Sequence, residues 1–129
     1  MNDFDVWNEI KKKTEQKEQR LEAIPQEREV WVAIIGRNIG REQHGELQNF
    51  SRPVLVIKKF NNEMFWIIPL TRKQKNLDFY FNFVDVNNKQ ASGVLAQMKM
   101  MSIKRFERKI YTLDRKIFEK MKSVLRSFL

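Results

Sequence analysis

The 129-residue chain contains no cysteine, one histidine, four glycines and three prolines. Without cysteine there are no disulfides and no thiolate metal ligands, and the redox compartment is left unconstrained. A single histidine, His44, with Glu42 and Glu46 nearby, supplies too few ligands of the right kind for a zinc site. It also leaves no Ser-His-Asp arrangement to argue for. "GRNIGREQHG" does not run from a strand into a helix, so it does not read as a phosphate-cradling Gly-rich loop. No apolar run approaches the roughly 20 residues that span a bilayer. The opening "MNDFDVWNEIKKK" lacks the charge-then-apolar order of a secretory signal. A cytoplasmic protein without a membrane partner is the expectation.

What the chain does have is positive charge, unevenly placed. Net charge is +9: residues 1–29 carry −2, residues 30–98 carry +4 and residues 99–129 carry +7. A basic body behind a nearly neutral arm suits a polyanion such as nucleic acid, an acidic protein segment or an anionic membrane surface. A solvated basic surface would have the same composition. Hydrophobic residues at 42% and charged residues at 32% indicate a globular chain, of a length that suits one domain.

Residues 4–24 have roughly helical spacing of Phe4, Trp7, Ile10, Leu21 and Ile24, but "KKKTEQKEQR" has almost no apolar face. A helical arm over residues 1–28, exposed or packed only at its ends and broken by Pro25, is expected, with the domain proper at 29–129. "EVWVAIIG" reads as a buried strand, followed by a long polar connection. Strands over about 53–60 and 64–70 flank Asn61-Asn62, a tight-turn signal because Asn tolerates positive φ. Pro69 should sit at an edge or bulge. "LDFYFNFVDV" alternates, predicting Leu77, Phe79, Phe81 and Phe83 on a core face with Asp78, Tyr80 and Asn82 opposite. "GVLAQMKMMSI" reads as one further strand and "KIYTL" as a short last one. Ile117, Phe118, Met121, Val124, Leu125, Phe128 and Leu129 form the apolar face of a C-terminal helix, with Thr112 or Asp114 as N-cap. Mainly β structure with terminal helices follows: a small, strongly bent antiparallel sheet or barrel of five or six strands.

Polar residues cluster at strand ends: Arg52, Thr71, Arg72, Lys73, Gln97 and Lys99. If the strands pair symmetrically about Asn61-Asn62, Arg52 and Thr71 meet at one end of the hairpin. A guanidinium beside a hydroxyl and a lysine suits a phosphate. Such residues also simply end strands in solvent. Phe65, Trp66 and Tyr80 interleave with these charges, as in proteins that stack the bases of single-stranded nucleic acid.

"GRNIGREQHG", "SRPVLVIKKF", "FWIIPLT" and "VLAQMKMMSIKRF", in that order, resemble the MazF/PemK toxins of bacterial toxin–antitoxin systems. The resemblance runs from about Glu29 to the terminal helix. It implies an SH3-like barrel with a C-terminal helix, dimeric, that cleaves single-stranded RNA at specific sequences. No cofactor or metal ion would be needed, and a cognate antitoxin would neutralise it. Carried over, the catalytic arginine and threonine become Arg52 and Thr71, the loop glutamate Glu42 and the later glutamine Gln97. Lys99, Arg72, Lys73 and His44 are the remaining candidates for RNA contact. The longer loop "ELQNF" and the replacement of Q-I-R-x-x-D by "QMKMMS" depart from the family pattern. A binder that does not cleave, or a toxin that poisons a protein such as DNA gyrase, would share the fold.

Overall fold

In the computed structural model the described residues are 24–37 and 49–129. Most of the expected N-terminal helix, together with Glu42 and His44, lies outside them. Seven strands and one helix follow in chain order: β1 Glu29–Arg37, β2 Asn49–Lys59, β3 Met64–Thr71, β4 Tyr80–Val84, β5 Gln90–Val94, β6 Lys99–Ser102, β7 Phe106–Thr112 and α1 Arg115–Ser127. They form one antiparallel sheet of order β4-β5-β3-β2-β1-β7, with β6 pairing β3. Among the described residues the expected mainly β, bent architecture with a terminal helix is therefore present, with more strands than periodicity indicated.

Two cores occupy the two faces of the central strands, which explains why β1, β2 and β3 read as continuous apolar runs. Leu55, Ile57, Ile68 and Leu70 face a core completed by Phe83, Leu113 and the α1 residues Phe118, Met121 and Leu125. Trp31, Ala33, Val54, Val56, Phe65 and Ile67 face a second core with Met101, Ile103 and Phe106. Phe106 takes edge contacts from Trp31 at 5.9 Å and Phe65 at 5.1 Å between ring centres. Buried aromatics of this kind each stabilise the fold by a few kcal/mol.

The hairpin register matches the symmetric expectation in its inner half, with Val54 opposite Pro69, Leu55 opposite Ile68 and Val56 opposite Ile67. A bulge between Val56 and Lys58 then shifts it by one residue toward the tip. The turn is not the two-residue one expected. Phe60 N–H bonds the Met64 carbonyl at 3.1 Å, and Asn61 Oδ1 accepts from the N–H groups of Glu63 at 2.7 Å and Met64 at 2.9 Å. Asn61 thus works through its side chain. Positive φ occurs at Arg28 and Asn88, not at Asn61 or Asn62.

Pro69 is buried in an interior strand, which reconciles it with the loss of a ladder donor in an unexpected way. On its other edge β3 pairs β6 through Ile67 and β5 from Leu70 onward, leaving 68–69 at the changeover. "GVLAQMKMMSI" is accordingly two strands, β5 and β6, separated by a 3-10 turn over Leu95–Gln97. β4 begins only at Tyr80, so Leu77 at 45% and Phe79 at 38% exposure are not core, whereas Phe83 is.

Residues 24–28, expected to end the arm, pack on the barrel: Arg28 N–H bonds the Val56 carbonyl at 2.9 Å, and its carbonyl accepts from Leu113 N–H at 2.8 Å. Helix α1 approaches β5 closely at Gly93, where a Cβ would lie 3.2 Å from Met121 Sδ. Asp114 caps α1 by accepting from the N–H groups of Lys116 at 3.0 Å and Ile117 at 3.2 Å. Phe128 and Leu129, expected on the helix's apolar face, are exposed beyond its last turn. Asp114→Ala is expected to lower the unfolding free energy by about 1 kcal/mol, measured as a lower urea midpoint with an unchanged slope.

Candidate nucleic-acid interface

The alternation that sends Val54 and Val56 into the second core puts Arg52 on the same face, just past the end of that core. The same parity puts Thr71 on this face of β3. Continuing the register from Val54 and Pro69 by two residues sets Arg52 beside Thr71. Arg52 Nη2 reaches the Leu70 carbonyl at 3.4 Å, tying the guanidinium toward β3. Thr71 Oγ1 accepts from Lys73 N–H at 3.2 Å, which fixes the hydroxyl at the strand's end. The two sequence candidates thus come to the same end of the hairpin.

The rung continues in both directions. Arg52 is opposite Ala33, and Ala33 opposite Phe106. Thr71 is opposite Ser92, and Ser92 opposite Asn82. Ser92 is fully buried and donates its hydroxyl to Asn82 Oδ1 at 2.8 Å. Neither residue was a sequence candidate, because only the order of the strands brings β4 and β5 to Thr71.

Lys99, opposite Ile67 at the start of β6, also faces this side. It is exposed as a residue. Partial desolvation of its ammonium, and then the nearby Arg105 and Arg52 charges, hold it below the ordinary lysine range. Three cations therefore share one field, and an anion placed among them would relieve their repulsion. Arg105, whose Nη1 bonds the Ile34 carbonyl at 3.3 Å, was missed by sequence reasoning. Its only signal was the excess of basic residues after position 98.

Other candidates lie elsewhere. Arg72, one residue on from Thr71, points to the opposite face, where Nη1 contacts Asp85 Oδ2 at 2.6 Å and the Gln90 carbonyl at 3.3 Å. Lys73 is exposed beside Thr71, and Gln97 is exposed at the end of the 3-10 turn, two residues before Lys99. Phe65 is core. Trp66 stands at the far end of the hairpin, edge-on to Phe60 at 5.0 Å. It lines a pocket of about 260 Å³ with Ile57, Met98 and Leu125 that is remote from Arg52. Among the described residues no group of three or more His, Asp or Glu side chains could hold a metal ion, and no helix is long and apolar enough to cross a membrane.

The model of a protein family described as PemK-like, MazF-like toxin of type II toxin-antitoxin system matches residues 26–129. A MazE–MazF structure (Form-II) from Deinococcus radiodurans is similar with a TM-score of 0.65 at 16% identity, covering 82% of this chain and 96% of that one. A MazF structure (Form-I) from the same organism gives 0.61 at 16% identity over the same shares, 82% and 96%. A structure described as an endoribonuclease from mycobacterial species gives 0.60 at 8% identity, covering 81% and 90%. At these identities the structural likeness speaks for the fold. A search of curated protein sequences finds no match.

Asp85 anchors the neighbouring face. Burial pushes its carboxyl up, but the Arg72 hydrogen bond, the N–H groups of Lys89 and Asn87, and the Arg72 charge together hold it below the ordinary aspartate range. Tyr111, half-buried near this pair, is pushed up to about 12 by burial and by Asp85. Because the folded carboxyl is depressed, its contribution is fully present above the unfolded value near 3.9 and is lost as pH falls through the folded value. Asp85→Asn is expected to cost about 2 kcal/mol at pH 7. The deficit should shrink below about pH 4, as read by denaturant unfolding at both pH values.

Proposed function

The chain belongs to the PemK-like, MazF-like toxin family of type II toxin–antitoxin systems, and on that footing we propose that it is an endoribonuclease that cuts single-stranded RNA at specific sequences without a metal ion. What supports this reading is the register that, carried two residues past Val54 and Pro69, sets Arg52 beside Thr71, with the guanidinium on the Leu70 carbonyl and its charge in a field shared with Lys99 and Arg105. In the proposed reaction the ribose 2′-oxygen attacks the adjacent phosphorus, losing its proton to a base. The bond from phosphorus to the 5′-oxygen breaks, and that oxygen takes up a proton. The products are a 2′,3′-cyclic phosphate and a free 5′-OH.

Arg52 donates to the non-bridging oxygens as negative charge builds on the phosphorane, and the Thr71 hydroxyl adds a second donor. Such preorganised donors act without reorganising at the moment of reaction, which is where their advantage over water lies. An arginine stays protonated and makes a poor base. The proton is assigned instead to Glu42, with His44 as the second candidate, on the connection between β1 and β2. Lys99, Gln97 and Lys73 hold the strand through its phosphates and base edges, whereas Arg72, turned to Asp85 on the other face, braces the β4–β5 turn. The protein acts as a homodimer in the cytoplasm. An acidic antitoxin segment that binds across this basic face keeps it inactive; one of the similar structures is a MazE–MazF complex.

Purified wild type incubated with a long single-stranded RNA and EDTA should give discrete cuts with cyclic-phosphate and 5′-OH ends, mapped by primer extension and end-group analysis. Arg52→Ala is expected to lower the cleavage rate about 100- to 1000-fold with an unchanged circular-dichroism spectrum and melting temperature. Thr71→Ala should lower turnover more than it lowers stability. A folded wild type that makes no cuts would overturn the nuclease reading in favour of a non-cleaving RNA binder or a protein-directed toxin. An Arg52→Ala protein that cuts at the normal rate would overturn the site alone.

A further inference from the structure

Phe79 and Tyr80 were separated by sequence periodicity into core and solvent faces, yet both rings meet at the surface, 5.3 Å apart and tilted by 59°. Phe79 keeps 38% of its surface exposed beside Leu77 at 45%. Lys75 Nζ stands 5.6 Å from the centre of the Tyr80 ring. The segment 73–79 that brings these groups together is tied down at several points. Gln74 Nε2 donates to the carbonyls of Phe83 and Ala91, each at 3.1 Å, and Asn82 Nδ2 donates to the Lys75 carbonyl at 3.1 Å. Tyr80 N–H bonds the Leu77 carbonyl at 3.0 Å, and Leu95 N–H bonds the Phe79 carbonyl at 2.7 Å.

The place is as informative as the build. Tyr80 lies two residues along β4 from Asn82, which closes the rung running through Ser92 to Thr71. Two strand spacings, about 10 Å, separate Thr71 from β4. On its other side the aromatic pair is bonded to the start of the 3-10 turn that ends in Gln97. Exposed rings with cations beside them, between two polar stations on one face, have the composition of a stacking platform for unpaired bases. A protein partner would meet the same charges, but Lys99, Arg52 and Arg105 share one field, and with Lys73 exposed next to Thr71 and Lys75 beside Tyr80 they supply positive charge suited to a phosphate chain.

Resting on the ribonuclease reading, we propose that Phe79 and Tyr80 form a base-stacking subsite for the nucleotide next to the one cut, with Lys75 neutralising its phosphate. The base adds its ring to the open surface of the pair, and sequence preference at that position follows stacking strength more than hydrogen-bonded readout.

The test uses the 129-residue protein and a single-stranded oligonucleotide carrying the mapped cut sequence. A 2′-deoxy sugar at the cut blocks cleavage, and 2-aminopurine replaces one base at a time. Wild type should quench the fluorophore strongly at one position flanking the cut. Phe79→Ala should remove that quench and raise Kd about 5- to 150-fold, while Phe79→Tyr retains both. Lys75→Ala should weaken binding and reduce the salt slope by about one. If wild type cuts RNA but quenches no flanking base, or if Phe79→Ala matches wild type in quench and Kd, the subsite is overturned and the nuclease reading stands. If a folded wild type neither binds nor cuts RNA, both are overturned.

Discussion

The pairing of β3 governs this protein. Along one edge it holds β2, in one register inward of the bulge at Val56–Lys58 and in another outward of it, and along the other it changes partner from β6 to β5. Because side chains alternate with a period of two, that register decides every face at once. It sends Ile67 to one core and Ile68 and Leu70 to the other, and leaves Arg52 and Thr71 together past the last apolar layer. The changeover also accommodates Pro69, whose missing donor would weaken an uninterrupted ladder.

The two cores have unequal consequences. The one under α1 is closed by a helix that can come near β5 because Gly93 carries no side chain. The other is closed by β6, β7 and the edge contacts of Phe106, and it opens at one end into positive charge. Arg52 and Lys99 stand at that opening, directly beyond close-packed Val54, Val56 and Ile67. The close-packed layer beneath fixes the Cα positions of these cations and so limits how far their like charges can drift apart. Arg72 illustrates the contrast: one residue from Thr71, it faces Asp85 and braces the β4–β5 turn.

Much of this was legible in the chain. The apolar runs on either side of Asn61-Asn62 sufficed to set the inner register, and with it the neighbourhood of Arg52 and Thr71. The mechanism of the turn was not, since Asn61 uses its carbonyl oxygen and not a positive φ. Alternation through 77–83 identifies a strand but does not say where its covering layer ends, which is why Leu77 and Phe79 share the parity of Phe83 without being core. Ser92, Asn82 and Arg105 escaped notice for a different reason. Their place beside Thr71 and Arg52 is set by strand order, and a periodic pattern carries no information about which strands become neighbours. The run "GVLAQMKMMSI" hid a break because apolar residues continue straight through the 3-10 turn.

The bulge between Val56 and Lys58 has a bearing on how such a protein can vary. Inward of it the two strands keep one register; outward, toward Phe60 and Trp66, they keep another. A length change at the hairpin tip meets this dislocation before it meets Val54 and Pro69, and the slack residue can absorb it. The outer half of the hairpin is thereby uncoupled from the residues at its base. Lineages can rewrite the tip, and an engineer can graft a label or an epitope there, without disturbing the alignment of Arg52 with Thr71.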